Sequence, residues 1–190
     1  ENHDELRLAS DFFLGNAEKA QPAFVVCTLL GQNPVMLYAG QEWGERGMDE
    51  EGFSGMNGRT TIFDYWSLSD NRDNDLSRYY RSILDIAGKE KAVDRGQMFD
   101  LMSVNQHLSR QYAFIRAYRQ ELLLVVANFD DVPANAEVFI PQHAFNYLNI
   151  KPRKVDGIDL ITGATHTVDL QPGMPVSVSL GARESVVLKL

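Results

Sequence analysis

Hydrophobic positions along this chain follow two different periods. Over residues 17–30, Ala17, Ala20, Phe24, Cys27 and Leu30 recur at spacings of three and four, which predicts a helix. Asn16 suits its N-cap and Gly31 the position after its end, and Pro22 lies near the first turns, where a proline costs least. Residues 34–40 form a short, continuously apolar run, the pattern of a strand buried on both faces of a parallel sheet. Residues 43–75 hold no period: Gly44, Gly47, Gly52, Gly55 and Gly58 break it, with Trp43, Phe53, Phe63, Tyr65 and Trp66 interleaved. Helical spacing returns at Leu76, Tyr79, Tyr80, Ile83, Leu84 and Ala87, with Asn74 or Asp75 as cap and Gly88 as stop.

After Gly96 the period shortens to that of strands. Residues 98–104, 110–118, 121–129, 136–140, 157–161, 166–170, 174–180 and 184–190 read as strands, with Arg119-Gln120 as a tight connection and a short helix near 143–148. Alternation is clearest at the end, with Met174, Val176, Val178 and Leu180 on one face, and likewise Val186, Leu188 and Leu190. Helix, short loop and buried strand make the repeat unit of an α/β barrel, and a series of short strands argues an antiparallel sandwich. The predicted fold class is therefore α/β followed by all-β. Residues 1–96 are the last βα units of a partial (β/α)8 barrel, and residues 97–190 are an antiparallel β-sandwich.

Composition narrows the partners. The chain is 190 residues long and 44% hydrophobic, with a net charge of −8. It has no Lys/Arg cluster, which argues against nucleic acid. A neutral polymer is compatible with that charge but is not implied by it. No apolar run reaches the about 20 residues of a membrane-spanning helix, so no membrane is expected. Cys27 is the single cysteine and, within its apolar run, reads as a buried structural thiol. The compartment is left open.

The most chemically loaded stretch is Glu1-Asn2-His3-Asp4-Glu5, which crowds three acids, an amide and an imidazole together. A polar helix cap is the plain alternative reading. Arg7, just downstream, suits either a surface ion pair or a clamp on one of these carboxylates. The acids Glu45, Asp49, Glu50 and Glu51 match no EF-hand spacing, so no metal site is assigned. His107, His143 and His166 lie far apart and read as surface or packing residues.

Asn2-His3-Asp4 resembles the Asn-His-Asp motif of the alpha-amylase superfamily, glycoside hydrolase family 13. Tyr38, Gly40, Glu42 and Gly44 resemble, in order, the Tyr-x-Gly-x-Glu-x-Gly pattern that ends the last barrel strand of that family. Residues 58–66 look like its Arg-containing segment, residues 76–87 like its Tyr-rich last helix, and residues 123–129 like its sandwich strand. The resemblance implies a C-terminal portion of a retaining glycosidase or transglycosidase acting on α-glucans such as starch and maltodextrin. Asp4 is then the third, transition-state-stabilising carboxylate, and His3 a hydrogen-bonding partner of the same sugar. Asn2 supports them, and Arg59 and Trp43 contribute to substrate binding. Glu42 takes only a structural position. No residue matches the motifs of the nucleophile or the general acid, so the chain alone is expected to be inactive. No cofactor is implied in this chain; calcium is allowed in the parent.

Two other readings compete. One is a non-catalytic, amylase-like partner subunit. The other is a carbohydrate-binding sandwich over residues 98–190, which would need a surface platform such as Tyr112, Phe114 and Tyr118. The apolar strand expected at 34–39 would be an open edge, so a homo-oligomer covering it is also expected.

Overall fold

The computed structural model describes residues 1–47 and 73–190. Internal contacts divide the chain into two compact units: Glu1–Gln21 with Pro34–Ser82, and Pro22–Asn33 with Ile83–Leu190. Sequence pattern changes at residue 96, whereas the contacts group helical segments preceding it with the strands. Helix α1 (Gln21–Leu29) and helix α2 (Asp75–Lys89) each contribute residues to both units. No described helix is long and apolar enough to cross a membrane.

The first unit is held by turns and caps. Asn16 caps a 3-10 turn, Ala17–Ala20, by accepting from the Glu18 N–H at 2.7 Å. A second 3-10 turn, Gln41–Trp43, is bounded by Gly40 (φ 89°) and Gly44 (φ 78°). Both glycines are left-handed, a conformation other residues adopt only with strain. At the start of α2, the Ser77 N–H donates to Asn74 Oδ1 (2.8 Å), and the Asn74 N–H donates to Ser77 Oγ (3.2 Å). This reciprocal cap satisfies two otherwise orphaned donors.

Residues 34–39 do not form the expected strand. They carry no ladder and lie exposed or half-buried, with Met36 67% exposed. An apolar run becomes a strand only where a neighbour accepts its backbone groups, and no described segment pairs with this one. Cys27 is also a correction, because it is exposed. Helix α1 buries Phe24, Val25, Thr28 and Leu29 instead, a face turned from the one its spacing suggested.

The second unit carries two antiparallel sheets. Six strands stand in the order β1 (Gln97–Asp100), β2 (Gln111–Tyr118), β3 (Glu121–Asn128), β8 (Ser185–Lys189), β5 (Arg153–Asp159) and β6 (Thr165–Leu170). Strands β4 (Ala134–Phe139) and β7 (Pro175–Leu180) make the second sheet, and helix α4 spans Gln142–Leu148. One apolar core takes Ile115, Leu124 and Leu188 from the large sheet, Val138 and Val178 from the small one, and Phe145 from α4. Buried side chains alternate with exposed ones along β6 and β7, as they do in strands with one wet face.

Strands β2, β3 and β8 are buried on both faces. Opposite the core, Phe114, Leu123, Val125 and Val187 are all 0% exposed. Phe114 is thus interior, and the row Tyr112-Phe114-Tyr118 is not a surface platform. On that same face lies Arg116, 2% exposed. Its guanidinium donates from Nε to Ala92 O (3.0 Å), from Nη1 to Leu30 O (2.8 Å), and from Nη2 to Val93 O (2.5 Å) and Gly96 O (3.0 Å). Leu30 follows α1, and Ala92 and Val93 belong to α3 (Lys91–Asp94), a short helix that the pattern did not predict. Carbonyls at helix ends carry partial negative charge, so they can hold a buried cation without a carboxylate. Burial pulls the Arg116 pKa below its ordinary value.

Gly96 sits in the same knot. A Cβ there would lie 2.1 Å from Ala92 O and 2.6 Å from Ala117 O, both backbone atoms. Arg116→Met keeps much of the side-chain volume but strands the four carbonyls. We expect a loss of about 3–5 kcal/mol, the range for breaking a buried charged network, read as a lower urea midpoint at unchanged slope. An unchanged midpoint would show that the network contributes no net stability.

Candidate active site

The first five residues form a polar bend. Glu1 turns inward: its side chain is 2% exposed and faces Arg7, itself 1% exposed, with Nη2 to Oε2 at 3.0 Å. The other Glu1 oxygen accepts the Leu8 N–H at 2.6 Å. Burial raises the Glu1 carboxyl pKa, against the opposing pull of the Arg7 charge and the Leu8 N–H. Arg7 therefore takes the clamping role rather than that of a surface ion pair, and its partner is Glu1.

The same guanidinium reaches the second motif. Arg7 Nη2 donates to Ala39 O (3.0 Å), and its carbon lies 4.9 Å from the centre of the Tyr38 ring. Two segments more than 30 residues apart in sequence are joined by one buried cation. Below them, Gln41 Nε2 donates to the Tyr80 hydroxyl at 3.1 Å. Sequence reasoning placed Tyr80 on the apolar face of α2 but not in this polar layer. A tyrosine on an apolar stripe carries no signal for where its hydroxyl goes.

The residues predicted to meet substrate lie further out. His3 and Asp4 have side chains 70% and 68% exposed, with Nε2 and Oδ2 3.3 Å apart. Asn2 Oδ1 accepts the Asp4 N–H at 2.7 Å and so fixes the backbone under the carboxylate. The bend thus brings Asn2, His3 and Asp4 together. An exposed carboxylate beside an imidazole can take hydrogen bonds from neighbouring hydroxyl groups of one ligand. Trp43 lines a cleft of about 400 Å³ with Asn16, Arg46 and Asn74, and Asn2, His3 and Asp4 are not among the lining residues of that cleft. Arg46 in turn pairs with Asp11. Arg59 and the acids Asp49, Glu50 and Glu51 lie outside the described residues, as do Tyr65 and Trp66. Among the described residues no cluster of His, Cys, Asp and Glu has the makings of a metal site.

Burial pushes the Tyr80 hydroxyl up to about 12; the nearby charges of Glu1 and Glu42 also raise it, while the Gln41 bond opposes. The sign follows. The unfolded chain ionises this tyrosine near its ordinary value of 10.0 and the folded chain only near 12, so stability is lost as pH rises between the two. In a native-state absorbance titration, Tyr80→Phe should delete one tyrosinate component near the top of the curve. Loss of a component near 10 instead would mean that the hydroxyl is in contact with water.

No protein-family model matches the sequence. No curated protein matches it either. Solved structures do share the fold. A maltogenic alpha-amylase, AmyB from Thermotoga neapolitana, aligns with a TM-score of 0.72 and 17% identity over 100% of this chain and 40% of its own. AmyP in complex with maltose gives 0.67 and 17%, over 100% of this chain and 39% of its own. The alpha-amylase of Geobacillus thermoleovorans complexed with acarbose gives 0.66 and 16%, over 100% and 37%. The chain thus spans about two-fifths of the length of these structures.

Proposed function

We propose that this chain, whose fold is that of the C-terminal portion of alpha-amylases, is that portion of a retaining glycoside hydrolase acting on α-glucans. In this reading residues 1–96 end the catalytic barrel and residues 97–190 are the β-sandwich that follows. One observation carries it: Arg7 holds Glu1, at the head of the Asn2-His3-Asp4 bend, and Ala39, inside the Tyr38–Gly44 stretch. These are the two stretches that resemble the family's motifs, and here they form one polar layer. The full coverage of the chain by amylase structures supports the same reading.

The chemistry follows from what a third carboxylate can do. Glycosidic cleavage passes through an oxocarbenium-like state that a nucleophile and an acid create. Asp4 accepts hydrogen bonds from ring hydroxyls that tighten as the sugar distorts, so it contributes more to the transition state than to the bound substrate. His3 donates to a hydroxyl of the same sugar. Asn2 holds Asp4 in register through its backbone N–H. Trp43 and Arg59 serve neighbouring parts of the substrate. AmyP was solved with maltose; a maltooligosaccharide is the ligand proposed here. The nucleophile and the acid come from the rest of the parent enzyme, and this chain alone does not turn over.

The test is maltooligosaccharide hydrolysis by the full parent chain with and without Asp4→Asn. We expect kcat to fall by about 10²–10³-fold, the usual cost of one transition-state partner, with the melting midpoint retained. A variant as active as its parent would displace Asp4 from the role. A parent inactive on every α-glucan would favour a non-catalytic partner subunit.

A further inference from the structure

The second unit holds a cleft that the proposed glycosidase chemistry does not use. It has a volume of about 470 Å³ and lies where the β2–β3 turn meets the segment running from α4 into β5. That volume falls in the usual range for small-ligand pockets. Leu122, Leu148 and Ile150 give it an apolar floor, and Arg119, Lys151 and Arg153 supply its charge.

The chain is acidic overall, with 26 Asp and Glu against 18 Lys and Arg, yet three cations line this one cleft. Elsewhere Arg7, Arg46, Arg78, Lys89, Arg95, Arg183 and Lys189 sit in ion pairs, while Lys19, Arg81, Lys91, Arg110 and Lys154, scattered along the sequence, form none among the described residues. Among the described residues Arg119, Lys151 and Arg153 form none. The one carboxylate in the cleft, Glu121, has one oxygen turned to the Ala92 N–H at 2.6 Å, so the lining carries three cations against one anion. Arg119 rests 5.2 Å from the Tyr118 ring centre, and Arg153 Nη1 reaches Lys151 O at 3.3 Å. Neither contact neutralises a charge. Arg119 also occupies φ 57°, a left-handed position where glycine or asparagine costs less.

We propose that this cleft binds a small organic phosphate, a phosphomonoester on a body about the size of one hexose. Three cations against the one Glu121 carboxylate leave the lining with about the +2 that complements the −1.5 to −2 charge of a phosphomonoester at neutral pH, and the forked donors of arginine match its oxygens. The apolar floor takes the C–H face of the organic body. Bare inorganic phosphate would use only the cations and leave the floor uncovered, and a neutral sugar would use only the floor.

Calorimetric titration of the 190-residue chain with glucose 6-phosphate, glucose and inorganic phosphate separates these cases. We expect glucose 6-phosphate to bind at least tenfold more tightly than either of the others. Lys151→Gln and Arg119→Gln, both at exposed positions, should each weaken it by about tenfold, one charge-assisted contact apiece. Circular dichroism melts of both variants check that the fold is kept. Equal affinity for inorganic phosphate and glucose 6-phosphate would overturn the proposal, as would binding indifferent to both substitutions or no heat from any probe.

Discussion

Four backbone carbonyls meet the guanidinium of Arg116, and the strand unit is built around that meeting. An arginine in the middle of a strand would ordinarily prefer water. Here β2 is buried on both faces, so its charge must be met inside. The carbonyls at the end of α1 and within α3 meet it. The neighbouring strand completes the arrangement: Glu121, at the start of β3, accepts the Ala92 N–H and holds the other end of α3. One hairpin thus presents an anion to the N-terminal end of a short helix and a cation to its carbonyls, each matching the local dipole. A four-residue helix has little stability of its own. These two side chains give it a place, and the absence of a Cβ at Gly96 lets the backbone close over it.

The first unit uses the same device on a smaller scale. Arg7 is buried, and its charge is met by Glu1, by the carbonyl of Ala39 and by the face of Tyr38. The consequence is positional. The bend carrying Asn2, His3 and Asp4 begins at a residue locked inside, so an exposed carboxylate and imidazole are displayed from an anchored base. In the proposed role this matters, because a group set on a fixed support loses less entropy on engaging a ligand than one on a free segment. The charges facing the solvent and the charges holding the layer together are different residues with different work.

These two arrangements bear on function differently. On the proposed function the anchored bend supplies only the third carboxylate, since no motif in this chain matches the nucleophile or the acid that glycosidic cleavage needs. The strand unit, by contrast, has its own core and its own cleft. The cations of that cleft lie on the β2–β3 turn, on the segment leading into β5 and at the start of β5, and turns and loops on a packed core are where recognition groups are commonly found.

Much of the strand region could be read directly from the chain. Alternation at Val176, Val178 and Leu180, and the unbroken apolar run of β3, follow from which faces are wet, and that is written residue by residue. Asn16 and Asn74 announced their caps because capping is a matter of two or three neighbouring residues. Asn2-His3-Asp4 was legible only as a motif, since its meaning lies in what it resembles. Tertiary structure decided everything that depends on a distant partner. Helix α1 turned Cys27 outward and Val25 and Leu29 inward, although the spacing of apolar residues allowed another face. Residues 34–39 had the composition of a buried strand but found no ladder among the described residues. Arg7 suited either a surface ion pair or a clamp, and Arg116 was one position in a strand, until Glu1, Ala39 and Leu30 came within reach. Periodicity encodes how a residue faces its own element; which carbonyl, carboxylate or ring lies opposite is fixed only when remote segments close together.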